Sequence, residues 1–124
     1  MLVFLLVFVG GWFSNWQHQK EPDPDQIALN HLKKAGSDLS KPHTIEFFLY
    51  FSTERLARQA ADELKKMGCK VKVELDKDDA IWGCAAIKEM IPKRAELVRL
   101  RKYFKVIAKK FKGEYDGWET GVVK

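Results

Sequence analysis

The sequence predicts an α+β fold in which helices cover one face of an antiparallel sheet. Short runs rich in aromatic and β-branched residues alternate with longer runs in which apolar residues recur every three or four positions. An apolar fraction of 46% can supply the core of one domain in a chain of 124 residues. The two cysteines, Cys69 and Cys84, are expected to be reduced and packed as small apolar residues.

The first 16 residues differ from the rest of the chain. Residues 1–13, MLVFLLVFVGGWF, contain no charged side chain, and a polar run begins at Gln17. As a helix, about 16 residues would extend roughly 24 Å, slightly less than the hydrocarbon core of a bilayer. Because Lys20 and a basic domain follow the segment, the positive-inside rule places that domain in the cytoplasm, at the inner membrane. We expect residues 1–16 to be a membrane anchor, with a secretory signal, a misassigned start or an extra core strand as alternatives.

A linker is predicted over residues 17–25, QHQKEPDPD, because it is polar and its prolines disfavour regular structure. The globular domain is expected over residues 26–124. A short helix is predicted from Pro24 into this domain. Its apolar residues are Ile27, Leu29 and Leu32.

The first strand is predicted over residues 44–51, which are rich in aromatic and β-branched residues. Alternation divides it into a core face and an outer face. The core face carries Ile45, Phe47, Leu49 and Phe51, and the outer face carries Thr44, Glu46, Phe48 and Tyr50. A helix is predicted next over residues 53–67, with Ser52 as its N-cap and Gly68 as its end.

A hairpin is predicted from two further runs, residues 69–75 and residues 80–87. The acidic turn between them lacks the glycine and the downstream glutamate of a calcium-binding loop, so we expect a solvated turn and no metal site. A long helix is predicted over residues 94–112 and a final strand over residues 114–123. The order is that of a ferredoxin-like βαββαβ sandwich with an extra N-terminal helix.

Catalytic groups are hard to find in this sequence. The three histidines, His18, His31 and His43, have no nucleophile or metal ligand at a functional spacing, and no phosphate-binding glycine loop is present. We therefore expect a protein that is not an enzyme and that uses no cofactor.

Aromatic residues are predicted on the sheet face that the two main helices leave open. They are Phe48 and Tyr50 of the first strand and Trp82 of the third, two strands that are central neighbours in this fold. Three interpretations stay open: the N-terminal helix covers them, a protein partner binds them, or nucleic-acid bases stack on them. The third strand lacks the basic and aromatic pattern of RNA-recognition modules.

The long helix is strongly basic. Residues 93–112 contain nine Lys or Arg residues and one acidic residue, Glu96, although the whole chain carries a net charge of only +5. Most of the positive side chains are expected off the apolar stripe: Arg99, Arg101, Lys102, Lys105, Lys109 and Lys110. Such a run is either a solvated face or a binding surface for acidic protein, anionic lipid or RNA.

Three strings of residues occur in a characteristic order: GSDLSKPH at 36–43, Tyr50-Phe51, and EYDGWE at 114–119. Together they resemble the RraB family over about residues 24–123. The resemblance implies a non-catalytic regulator that binds ribonuclease E and alters RNA turnover. It also adds Tyr115, Asp116 and Trp118 to the candidate partner-binding residues Phe48, Tyr50 and Trp82. The alternative for the final string is structural, with Gly117 permitting a bend and Trp118 filling the core.

Overall fold

The computed structural model describes residues 2–3 and 23–124. The fold is α+β, as predicted, and its sheet has the order β1-β5-β2-β4-β3 with antiparallel pairing throughout. In chain order the elements are β1 (Leu2–Val3), α1 (Pro24–Lys34), β2 (His43–Phe51), α2 (Glu54–Lys66), β3 (Lys70–Asp76), β4 (Ile81–Met90), α3 (Arg94–Lys110) and β5 (Glu114–Gly121). The four strands from β2 to β5 therefore have the order expected of a ferredoxin-like sandwich.

The core lies between the sheet and the helices. Alternate residues of β2 are buried, as the pattern predicted, and the ring of Phe47 lies 4.7 Å from that of Phe104 on α3, measured between centroids. α3 buries Leu97, Leu100, Phe104, Ile107 and Ala108. This face of the sheet is closed by apolar side chains of the strands and of all three helices.

The ends of α2 show how local sequence sets an element. Thr53 has an extended backbone, and its hydroxyl accepts a hydrogen bond from the Leu56 amide at 3.2 Å, so Thr53 and not the predicted Ser52 is the N-cap. At the other end Gly68 has φ +90°, and the Cys69 amide donates to the Leu64 carbonyl. This is the αL ending that Gly68 predicted.

The extra helix α1 packs beside α3 on the core face, where Leu29 and Leu32 are buried. The interpretation in which α1 covers the aromatic residues of the outer sheet face is therefore wrong. α1 also begins at Pro24, two residues before the expected domain boundary, and Asp25 in its first turn is buried.

The predicted membrane anchor, residues 1–16, lies outside the described residues apart from β1. In β1, Leu2 pairs with Gly121 and Val3 with Thr120 at the edge of the sheet, an arrangement that the alternative of an additional strand predicts. Among the described residues no helix is long and apolar enough to cross a membrane. The predicted linker lies outside the described range up to residue 22.

Candidate partner-binding face

Phe48 and Tyr50 lie on the sheet face that points away from the helices. Both are half-buried, whereas their neighbours Phe47, Leu49 and Phe51 point into the core. In the part of the chain that the structure describes, α1, α2 and α3 all pack on the opposite face. We call this uncovered side the open face.

Small residues flank the two aromatic side chains. Phe48 lies between Gly117 of β5 and Ala85 of β4, and Tyr50 lies opposite Gly83. A methyl group at Gly83 would lie 3.6 Å from the Tyr50 ring. The missing side chains leave a shallow concavity of about 310 Å³. Side chains that line it include those of Glu46, Phe48, Tyr50, Lys72, Glu74 and Asp76.

Acidic residues surround this concavity. From the strand registers, the acidic side chains of the open face are Glu46, Glu74, Asp76, Glu89, Glu114 and Glu119, and its basic side chains are Lys70 and Lys72. Lys72 is partly neutralised by Glu74 at 3.4 Å. The described part of the open face is therefore negatively charged, although the whole chain is basic.

Burial and the neighbouring carboxylates raise the pKa values of three side chains at the open face. Burial and the neighbouring Glu46 raise the pKa of Glu119. Burial, followed by the carboxylates of Asp116, Asp76 and Glu119, raises the pKa of Tyr50. The pKa of Asp116 is raised by burial and by Glu114. In each case burial is the larger cause, and the neighbouring carboxylates raise the pKa further.

Trp82 does not belong to the open face. It lies opposite Phe51 on β2 and opposite Leu75 on β3, and it is half-buried against the core. Residues directly opposite each other in an antiparallel pair share a face, so Trp82 points toward the helices. The prediction that Trp82 lies beside Phe48 and Tyr50 is wrong, because Trp82 pairs with the core-facing Phe51 and not with an outward-facing residue of β2.

A β-bulge in β5 separates the predicted residues of the final string. Tyr115 lies opposite Leu49 and Gly117 opposite Phe48, which leaves Asp116 as the extra residue. Gly117 has φ +107°, a conformation that glycine adopts readily. Tyr115 and Trp118 are both buried, so neither presents its side chain on the surface of this structure, and of the three residues Asp116 alone is half-exposed.

Asp25 joins α1, α3 and β5 inside the molecule. Its carboxylate is 1% exposed and accepts hydrogen bonds from Trp118 Nε1 at 3.1 Å and from Arg101 Nε at 2.8 Å. Arg101 is 18% exposed, so its predicted place on the basic surface is wrong. Arg101 lies four residues after Leu97 and three before Phe104, so it borders the apolar stripe of α3, and that spacing was the sequence signal for an inward-facing cation.

Residues 23–120 of the chain match a family model described as "Regulator of ribonuclease activity B". The chain belongs to the RraB family. It is 28% identical over 109 residues to the regulators of ribonuclease activity B of Escherichia coli strain K12 and of Shigella flexneri. These matches cover 84% of this chain and 78% of each relative.

The string GSDLSKPH, which carried part of the RraB resemblance, has a structural role here. His43 is 1% exposed, its Nδ1 donates to the Lys41 carbonyl at 2.8 Å, and its Nε2 shares a hydrogen bond of 2.6 Å with the Ser37 hydroxyl. The Val123 amide donates to Ser37 Oγ at 2.9 Å, and the Asp38 amide donates to the Val123 carbonyl. These bonds tie the loop before β2 to the chain segment after β5.

The outer side of α3 is the basic surface of this RraB domain. Arg99, Lys102, Lys105 and Lys109 are exposed, as predicted. Arg99 forms an ion pair with Glu96 on its own helix, and Lys110 pairs with Glu63 of α2 at 2.7 Å. In residues 23–124 the other three lysines form no ion pair.

Groups that could bind a metal are dispersed in this RraB domain. Among the described residues no group of three or more His, Cys, Asp or Glu side chains could hold a metal ion.

Cys69 and Cys84 are buried free thiols, and burial raises the pKa of Cys84 to about 11. A thiol with so high a pKa is a weak nucleophile at neutral pH because little thiolate is present.

Proposed function

We propose that this protein regulates a ribonuclease by binding to it and not by catalysis, and that the partner is ribonuclease E. The curated relatives are named as regulators of ribonuclease activity, and the resemblance of the sequence to the RraB family suggests ribonuclease E. The single structural observation that supports a binding function is the open face, where Phe48 and Tyr50 flank a concavity. Half-exposed aromatic side chains beside a concavity are typical of protein interfaces.

The charge of the open face suggests which part of a partner would bind. Glu46, Glu119 and Asp76 would attract Lys and Arg side chains, and the rings of Phe48 and Tyr50 would bury apolar groups or stack against a guanidinium. The proposed ligand is therefore a basic segment of the ribonuclease that also carries apolar residues.

The alternative, in which nucleic-acid bases stack on the open face, has less support. The acidic side chains of this face would repel phosphate groups, and Trp82, the third aromatic residue of that hypothesis, points toward the helices. A cation-rich protein segment fits the same surface better than RNA does.

Binding of the full chain to purified ribonuclease E, measured by calorimetry, tests the proposal. We expect Phe48→Ser to weaken binding by at least tenfold, a typical loss for a residue at the centre of an interface. The matched control is Tyr103→Ser, which removes an exposed aromatic side chain of α3. The proposal fails if ribonuclease E does not bind, or if the two variants lose equal affinity.

A second pair of variants tests the charge argument. We expect Glu46→Lys to weaken binding and to reduce its dependence on salt, because a positive charge would replace the negative charge that attracts the partner. Glu54→Lys, a change of the same size on α2, should leave binding within about twofold. Equal losses of affinity in the two variants would mean that binding depends on the net charge of the chain and not on the open face.

We also propose, from sequence alone, that residues 1–16 anchor the protein to the inner membrane with residues 26–124 as a cytoplasmic domain, an arrangement that requires Leu2 and Val3 to leave their pairing with β5. The support is the apolar composition of residues 1–13 and the position of Lys20. Cell fractionation tests this arrangement. Recovery of the full chain in the supernatant, without membranes, would show that the segment belongs to the domain.

A further inference from the structure

The outer surface of α3 combines lysines with exposed apolar side chains. Val106 is 68% exposed and Tyr103 is 43% exposed. Positions three and four apart on a helix are neighbours, so Lys102, Lys109 and Tyr103 surround Val106. We call the group Lys102, Tyr103, Lys105, Val106 and Lys109 the cationic patch.

We propose that the cationic patch binds single-stranded RNA. Lys102, Lys105 and Lys109 form no ion pair within residues 23–124, in contrast to Arg99 and Lys110 on the same helix. The first and last of these lysines lie seven positions apart in the sequence, which places them about 10 Å apart along the helix axis. That span allows the three ammonium groups to contact successive phosphates of one strand.

Tyr103 favours a single strand over a duplex. An exposed aromatic ring beside lysines gives unpaired bases a surface on which to stack. Bases inside an A-form duplex are already stacked on each other, and its deep major groove is too narrow for side chains to read.

The patch is poorly suited to a lipid surface. Interfacial helices bind lipid through a wide apolar face, and their affinity grows with the apolar area that they bury. The apolar face of α3, which includes Leu97, Leu100 and Phe104, is already buried in the core. Val106 and Tyr103 alone offer too little apolar surface for insertion.

The patch and the open face lie on opposite sides of the domain, because α3 packs with its buried face against β5 and β2. A protein partner on the open face would therefore leave the patch accessible. RNA binding does not depend on the proposed binding of ribonuclease, and each can fail without the other.

Fluorescence anisotropy of the full chain with a labelled oligouridylate, measured across a range of salt concentrations, tests this proposal. Three lysine contacts predict a slope of log affinity against log salt of about −2. We expect Lys102→Gln with Lys109→Gln to reduce affinity at least tenfold at low salt and to bring the slope to about −0.7. Tyr103→Leu should lower affinity about tenfold and leave the slope unchanged.

The matched control is Lys33→Gln with Lys34→Gln, which removes two charges from exposed lysines in the last turn of α1. Phe48→Ser on the open face is a second control, and both should keep RNA affinity within about twofold. The proposal is overturned if RNA does not bind at low salt or if the α1 variant loses as much affinity as the α3 variant. It is also overturned if vesicles with anionic lipid bind through Lys102 and Lys109 while the oligouridylate does not.

Discussion

Glu46 of β2 and Glu119 of β5 lie directly opposite each other on the open face. Like charges at such a pair destabilise a sheet, because the side chains of opposed residues are close neighbours. The raised pKa of Glu119, caused by burial and by Glu46, is consistent with this repulsion. A partner's cation placed between the two carboxylates would relieve this repulsion. Replacing either carboxylate is therefore expected to stabilise the free domain and to weaken binding of the partner.

We expect Glu119→Gln to stabilise the domain by about 0.5 kcal/mol at pH 7 because it removes the repulsion with Glu46. Since the folded-state pKa of Glu119 is raised, the wild-type chain loses stability as pH rises through that pKa. The advantage of the variant should therefore be present at neutral pH and vanish once the pH falls below the ordinary pKa of a glutamate, about 4.3. Urea unfolding at both pH values measures it. Glu89→Gln, opposite Thr44, is the control, and an equal gain there would disprove the pairwise explanation.

We expect Asp25→Asn to destabilise the domain by about 2–3 kcal/mol, because the nearly buried Arg101 would lose its counter-charge. Urea unfolding measures the loss. Adding Arg101→Met to Asp25→Asn should restore part of it, since the unpaired cation is then gone. A double variant less stable than Asp25→Asn alone would contradict this account.

Gly113 is expected to be intolerant of a side chain. A methyl group at this position would overlap the Tyr50 carbonyl oxygen and the Phe51 ring, so Gly113→Ala should cost about 3 kcal/mol or more. Gly83→Ala is the control, because its methyl group would make ordinary contact with Tyr50. Thermal unfolding compares them, and equal melting temperatures would show that the backbone near Gly113 adjusts at little cost.

We expect Cys69 and Cys84 to react with a thiol reagent at pH 8 at under about a tenth of the rate of a free thiol. Burial limits access and raises the pKa of both thiols, that of Cys84 to about 11. Absorbance after addition of an aromatic disulfide reagent measures the rate. Unfolding in guanidinium should restore full reactivity, and rapid labelling of the native protein would indicate local opening around β4.

The sequence predicted the elements of this fold well because their signals are local. Alternation marked β2, the apolar stripe marked α3, and Gly68 marked the end of α2. The face on which Trp82 lies depends on strand register, which follows from the turn before β4, where Ala80 has φ +54°.

Local sequence patterns could not predict the hydrogen bonds of Asp25, for a different reason. Its partner Arg101 is 76 residues away in the chain, and Trp118 is 93 residues away. Periodicity places a residue on the face of its own element, but it carries no information about which distant element that face will meet.

The separation of charge between the open face and the outer side of α3 gives the domain an electric dipole moment. In the field of a highly charged partner such a molecule would be turned before contact, so that the proposed cationic ligand would approach Glu46 and Glu119 and the proposed RNA would approach Lys102 and Lys109. A larger fraction of encounters then occurs in an orientation that allows binding. The rate of association, more than the lifetime of the complex, should therefore fall as ionic strength rises.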